Sequence, residues 1–239
     1  MKVLGIIPAR YASSRFPGKP LIDLKGKSMI QRVYEGAKQC PELTDLIVAT
    51  DDKRIFEHVL SFGGKAQMTH VSHNSGTERC QEVASKFEEM DVIINIQGDE
   101  PLVDHRQLSE LLALFRNPLT ALGTLIIPVN DPMDLSNPNR IKVVTNKNGE
   151  ALCFSRNPIP AATYPSDIVF YRHIGLYAYR KKTLAEISQL PMCEWEKSES
   201  LEQLRWLFHG YRIHTAITHL ETPNIDVPED VKKVITQIN

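Results

Sequence analysis

Three cations lie close together just after the first apolar run of the chain: Arg10, Arg15 and Lys19. Ala9, Ala12, Ser13, Ser14 and Gly18 are interleaved with them. Small side chains let backbone amides approach an anion, and the cations neutralise a polyphosphate. The same composition also describes a solvated basic loop, and these residues by themselves leave both readings open. The chain carries no G-x-G-x-x-G pattern. Gly26-Lys27-Ser28 imitates the end of a Walker A loop, but Leu21 stands where its first glycine belongs. The tripeptide therefore reads as a turn, with Ser28 capping a helix.

Two aspartates could serve a cation beside such a loop. Asp99 follows a buried-looking strand through Gln97 and Gly98, where glycine permits a tight turn and Pro101 ends pairing. Magnesium takes one or two protein carboxylates and completes its shell with water and phosphate oxygens, so a carboxylate at a strand end suits it. Asp226, in Asn224-Ile225-Asp226-Val227-Pro228, reads on its own as a helix-leading residue. Ser75-x-x-Glu78 is a capping-box pattern, and the helix start it marks also exposes backbone donors. His70, His73 and Cys80 lack a fourth ligand and match no strong zinc spacing, so the histidines read as surface or cap residues. Trp195 and Trp206 read as packing residues, the second within the Leu201, Leu204, Leu207 and Phe208 stripe of an amphipathic helix or interface.

Elements must hold these residues in place. The spans 3–8, 46–50 and 92–97 are strand-like and almost continuously apolar, as in a buried parallel sheet. Helical patterns at 28–39, 53–62 and 77–90 alternate with them, which predicts a Rossmann-like, doubly wound α/β fold with a mostly parallel sheet. A helix at 104–115 and a strand at 121–128 continue the alternation. In such sheets ligands bind beyond the carboxyl ends of the strands, where the segment after Pro8 sits.

The rhythm changes after Pro128. The stretch 131–139 reads as a loop, 141–145 and 151–155 as a hairpin around Asn146-Lys147-Asn148-Gly149, and the proline-rich 157–167 as another loop. A strand at 174–179, a helix at 198–208, a strand at 212–219 and a closing helix at 228–238 follow. The second part is expected to add antiparallel strands that supply a second wall for a cleft.

The whole chain sets outer bounds. Its 239 residues carry 28 basic and 29 acidic side chains, a net charge of -1, so no global field attracts nucleic acid or an anionic membrane. Cys40, Cys80, Cys153 and Cys193 form no C-x-x-C pair and read as reduced thiols in a cytoplasmic protein. No secretory signal opens the sequence, and no apolar run approaches the ~20 residues of a membrane span.

The segment Ile7-Pro8-Ala9-Arg10-Tyr11-Ala12-Ser13-Ser14-Arg15-Phe16-Pro17-Gly18-Lys19-Pro20-Leu21 closely resembles the signature of the 3-deoxy-D-manno-octulosonate (Kdo) cytidylyltransferases, or CMP-Kdo synthetases. The resemblance continues through Val48-Ala49-Thr50-Asp51-Asp52, Ser75-Gly76-Thr77-Glu78-Arg79, Asn95-Ile96-Gln97-Gly98-Asp99-Glu100-Pro101, Phe154-Ser155-Arg156, Arg172-His173-Ile174-Gly175-Leu176-Tyr177 and Leu201-Glu202-Gln203-Leu204-Arg205. Several ordered motifs at compatible spacing are far more specific than any one alone.

The resemblance implies a nucleotide-diphospho-sugar transferase-like fold, transfer of CMP from CTP to Kdo for lipopolysaccharide biosynthesis, a Mg²⁺ cofactor and a homodimer. It implies a single domain with a nucleotide-binding core at 1–128, sugar-binding and dimerisation additions at 129–220 and a closing segment at 221–239. The implied nucleotide contacts are Arg10, Ala12, Ser13, Ser14, Arg15, Lys19, Ser75, Gly76, Thr77, Arg79 and Gln97. Asp99 and Asp226 become metal ligands, and with Lys19 and Arg10 they form the implied catalytic set. Around the sugar the resemblance places Gln97, Arg156, His173, Tyr177, Glu202 and Gln203. Arg156 can pair with a carboxylate in a bidentate way, and the others can hydrogen-bond hydroxyls. One departure stands out: Thr222-Pro223-Asn224 precedes Asp226 where the family commonly has glycines. An 8-amino-Kdo or sialic-acid-like acceptor, a different base, and a non-catalytic nucleotide-binding protein are the alternatives. The presence of both aspartates weighs against the last.

Overall fold

The computed structural model describes residues 1–12, 16–129, 131–161, 164 and 167–238. They form two compact units, Met1–Ser109 with Thr222–Asn239, and Glu110–Glu221.

The first unit is built on parallel strands. β1 (Val3–Ala9) lies between β4 (Asp45–Thr50) and β6 (Val92–Asn95), and β5 (Ala66–Met68) extends the sheet beyond β4. Val3, Leu4, Ile6, Ile7, Val48, Val92, Ile93 and Ile94 are fully buried, which explains why these strands read as unbroken apolar runs. A short β2 (Asp23–Leu24) and β3 (Lys27–Ser28) pair before α1 (Met29–Ala37). Ser28 caps α1 by accepting from the Gln31 amide, as its place after Gly26-Lys27 predicts. Asp52 caps α2 (Lys53–Ser61), and Ser75 caps α3 (Gly76–Ala84). The capping box is modified: Glu78 accepts from the Asn74 amide at 2.8 Å. α4 (His105–Ala113) follows in the chain.

The second unit is mixed. β7 (Leu122–Pro128) pairs antiparallel with β10 (Tyr171–Arg180), and β10 pairs antiparallel with β8 (Lys142–Thr145). β8 forms the expected hairpin with β9 (Ala151–Ser155), turning on Gly149 at a φ of 74°. β11 (His214–Ile217) runs parallel to β7.

Some elements differ from the sequence expectation. Within 131–139 lies a short helix, α5 (Pro132–Ser136), capped by Asp131 and with proline in its first turn. α6 (Lys181–Ile187) follows β10 without a connecting loop, so no turn signal announces it. The predicted helix at 198–208 is interrupted. α7 (Glu194–Glu199) ends at Ser200, whose φ of 51° is left-handed, and α8 (Glu202–Phe208) begins after it. A buried ion pair joins the two helices: Arg205 Nε and Nη2 each donate at 2.6 Å to the Glu196 carboxylate. No described helix is long and apolar enough to cross a membrane.

Candidate active site

A cavity of about 240 Å³ opens in the first unit beyond the end of β1. Pro8, Ala9 and Arg10 form one side, Lys19 and Pro20 another, and Gln97, Gly98 and Asp99 a third. The start of α3 contributes Ser75, Gly76 and Arg79. Gly98 is required here because a Cβ would meet the Pro8 carbonyl oxygen at 2.8 Å. Only glycine lets the turn after β6 pass so close to the end of β1. A Cβ on Gly76 would likewise meet the Pro8 ring, at 3.2 Å.

The two aspartates meet at Lys19. Its ammonium donates to Asp99 Oδ2 at 2.9 Å and to the Ile225 carbonyl at 2.7 Å, and lies 4.0 Å from Asp226 Oδ1. Although the carboxylates are far apart in sequence, the Ile225 amide donates to the Asp99 carbonyl at 2.9 Å and joins the closing segment to the turn after β6. The Ile225 side chain is fully buried with Leu24, Met29 and Val234. Burial of such a side chain stabilises by roughly 1.5–3 kcal/mol, which anchors the residue just before Asp226. Thr222 donates to Glu100 at 2.8 Å, so Thr222-Pro223-Asn224 is tied down without glycines.

Two partly exposed carboxylates lie beside one cation. That chemistry fits Mg²⁺, which accepts one or two carboxylates and leaves its remaining positions to water and phosphate. Among the described residues no group of three or more His, Cys, Asp or Glu side chains forms a protein cage for a metal.

The other nucleotide-side residues divide. Arg79 lines the cavity, yet it is buried and held by Thr69 Oγ1 and by Asp51 at 3.0 Å. Thr77 is buried in the first turn of α3, and Ala12 is exposed on the loop. Ser13, Ser14 and Arg15 lie outside the described residues.

The expected sugar-side residues other than Gln97 gather in the second unit. His173 and Tyr177 on β10 have ring centroids 5.1 Å apart, and Tyr177 meets Trp206 of α8 edge-on at 5.0 Å. Glu202 and Gln203 open α8, one turn before Trp206. Burial, with the Arg172 charge beside it, pushes the His173 pKa down to about 3, so the ring is neutral at physiological pH. Burial and the nearby Glu202 charge push Tyr177 well above its ordinary value. Arg156 is held by backbone carbonyls: Nε donates to Glu199 at 2.6 Å, Nη1 to Pro138 at 2.9 Å and Nη2 to Ser200 at 3.4 Å. Two of its five N–H groups are not used by these bonds.

The cytidylyltransferase family profile matches residues 4–213. The 3-deoxy-manno-octulosonate cytidylyltransferase of Cytophaga hutchinsonii is 50% identical over 98% of this chain and 96% of its own length. That of Parabacteroides distasonis is 51% identical over 98% and 97%. This chain belongs to the 3-deoxy-manno-octulosonate cytidylyltransferase family. A CMP:2-keto-3-deoxy-manno-octonic acid synthetase solved in complex with CTP superposes with a TM-score of 0.95 at 44% identity, covering 99% of this chain and 98% of that one. A 4-diphosphocytidyl-2C-methyl-D-erythritol synthase from Anaerococcus prevotii has a TM-score of 0.65 at 13% identity, a likeness of fold.

Two supports of Arg156 escape sequence reasoning. Glu199 accepts from the Ser155 hydroxyl and from the Arg156 amide, both at 2.9 Å, and so fixes the end of β9. Lys142 is fully buried and donates to the Asn137 carbonyl at 2.9 Å and to the Arg156 carbonyl. Burial lowers its pKa. A lysine within a strand gives no sequence signal of that task.

Proposed function

We propose that this chain transfers CMP from CTP to Kdo, giving CMP-Kdo and pyrophosphate. The observation that carries the reading is the meeting of Lys19, Asp99 and Asp226 at the cavity beyond β1. The anomeric hydroxyl oxygen of the sugar bonds to the α-phosphorus. The bond from that phosphorus to the bridging oxygen breaks on the opposite side. Pyrophosphate leaves with the electron pair, and the hydroxyl proton is released. No protein nucleophile is needed, because such transfer is governed by positioning and charge stabilisation.

Each side chain has a physical task in this reading. Arg10 and Lys19 offset the polyphosphate charge. The capped start of α3 directs backbone donors toward the cavity. Asp99 and Asp226 would hold Mg²⁺, which when bound supplies Lewis-acid charge at phosphate oxygens. Arg156, braced on three carbonyls, offers its remaining N–H groups to the sugar carboxylate. His173 and Tyr177 offer hydrogen bonds without charge. A cytoplasmic location accords with four free cysteines. A homodimer accords with the exposed apolar side chains of Met192, Trp195 and Phe208, and light scattering tests it.

The decisive assay is coupled pyrophosphate release from CTP with a panel of keto sugar acids, with and without Mg²⁺. Kdo should be the preferred acceptor. Asp99→Ala should lower turnover by ~10²–10³, as with removal of other charge-stabilising groups. Near-normal release by that variant would sink the assignment of Asp99.

A further inference from the structure

β10 does not pair regularly with β7. Ile174 faces Leu125 and Tyr177 faces Thr124, so Gly175 and Leu176 are two extra residues of β10 between those pairs. Two extra residues preserve the alternation of faces, which leaves His173 and Tyr177 on one side of the strand with their rings 5.1 Å apart. Backbone carbonyls at the irregularity face the Thr124 side chain. Its fully buried Oγ1 lies 2.7 Å from the Leu176 carbonyl, 3.2 Å from the Ile174 carbonyl and 3.0 Å from His173 Nε2.

A hydroxyl has one proton. Carbonyl oxygens only accept, so the Thr124 proton is committed to them, with Leu176 the nearest. The lone pairs of Oγ1 then face His173 Nε2, and a hydrogen bond at that distance requires Nε2 to carry a proton. A neutral imidazole has one N–H, so Nδ1 is left as an acceptor. Beside it, the buried Tyr177 hydroxyl has no hydrogen-bond partner among the described residues. An acceptor and a hydroxyl on adjacent rings match the dual character of sugar hydroxyls.

We propose that Thr124 is a positioning residue, whose hydroxyl fixes His173 as the Nε2–H tautomer and so presents Nδ1 as acceptor for a hydroxyl of the acceptor sugar. The inference rests on the sugar-side reading of His173 given above. It assigns to Thr124 a part in sugar recognition that no contact with substrate requires.

The test uses the full chain labelled with ¹⁵N-histidine, as wild type, Thr124→Val and Thr124→Ser. Wild-type His173 should show a protonated Nε2 and an unprotonated Nδ1. Thr124→Val should lose that fixed tautomer and raise the KM for Kdo on the order of tenfold, the worth of one hydrogen bond, with the KM for CTP within about twofold of wild type. Thr124→Ser keeps the hydroxyl and should restore both. A wild-type Nδ1–H tautomer overturns the proposal, even if Thr124→Val fails to fold. So does an unchanged KM for Kdo in a Thr124→Val protein whose tautomer has moved. That result leaves the cytidylyltransferase reading intact, whereas a wild-type chain inactive with every keto sugar acid refutes the reading itself.

Discussion

His173 should make stability depend on pH below neutrality. Its pKa is about 3 in the folded protein, against 6.5 for the ordinary side chain, because burial and Arg172 disfavour the charged ring. The unfolded chain therefore binds more protons at this residue. A base with a depressed folded pKa contributes stability that is fully present above about 6.5 and is lost as pH falls toward about 3. For a group that stays neutral when folded, the loss depends only on the unfolded value. Between pH 7 and pH 5 it amounts to about 2 kcal/mol, taking about 1.4 kcal/mol per unit. That is a sizeable share of the ~5–15 kcal/mol that holds a domain together. The assay is urea unfolding of wild type and His173→Gln at both pH values. Glutamine does not titrate and can still reach Thr124. Groups distant from His173 are common to both proteins and cancel in the double difference. Wild type should lose about 2 kcal/mol more than the variant on acidification. Parallel losses in the two proteins would refute the buried, neutral state of His173.

Two further substitutions probe the scaffold. Ile225→Ala empties a fully buried position in the cluster of Leu24, Met29 and Val234, and should cost about 2–4 kcal/mol in urea unfolding. The same variant should weaken Mg²⁺ dependence of pyrophosphate release, because the residue before Asp226 loses its anchor; unchanged Mg²⁺ dependence would separate the anchor from the aspartate. Ser200→Gly relieves a left-handed φ of 51° and should raise stability by up to about 1 kcal/mol, with kcat unaltered. A loss of stability would show that the Ser200 side chain supports the α7–α8 junction.

The parts of this protein that were legible in its sequence are those set by local chemistry. Buried parallel strands announce themselves as apolar runs, and Ser28 and Ser75 cap the helices their spacing predicts. The break at Ser200 was not legible, because a nonlocal ion pair, Glu196 with Arg205, accompanies it and no glycine marks it. The same distinction runs through the site. Lys19 could be proposed from composition, but its position beside two carboxylates could not. Lys19 reaches Asp99 only because Gly98 lets the turn after β6 press against Pro8. Asp226 joins them through a neighbour that carries no chemistry at all. Ile225 buries an aliphatic side chain, donates one amide to the Asp99 carbonyl and accepts the Lys19 ammonium on its own. Read in sequence, it is one more isoleucine before a helix. In the fold it holds Asp226 beside Lys19 and Asp99, a meeting that composition and spacing alone do not show.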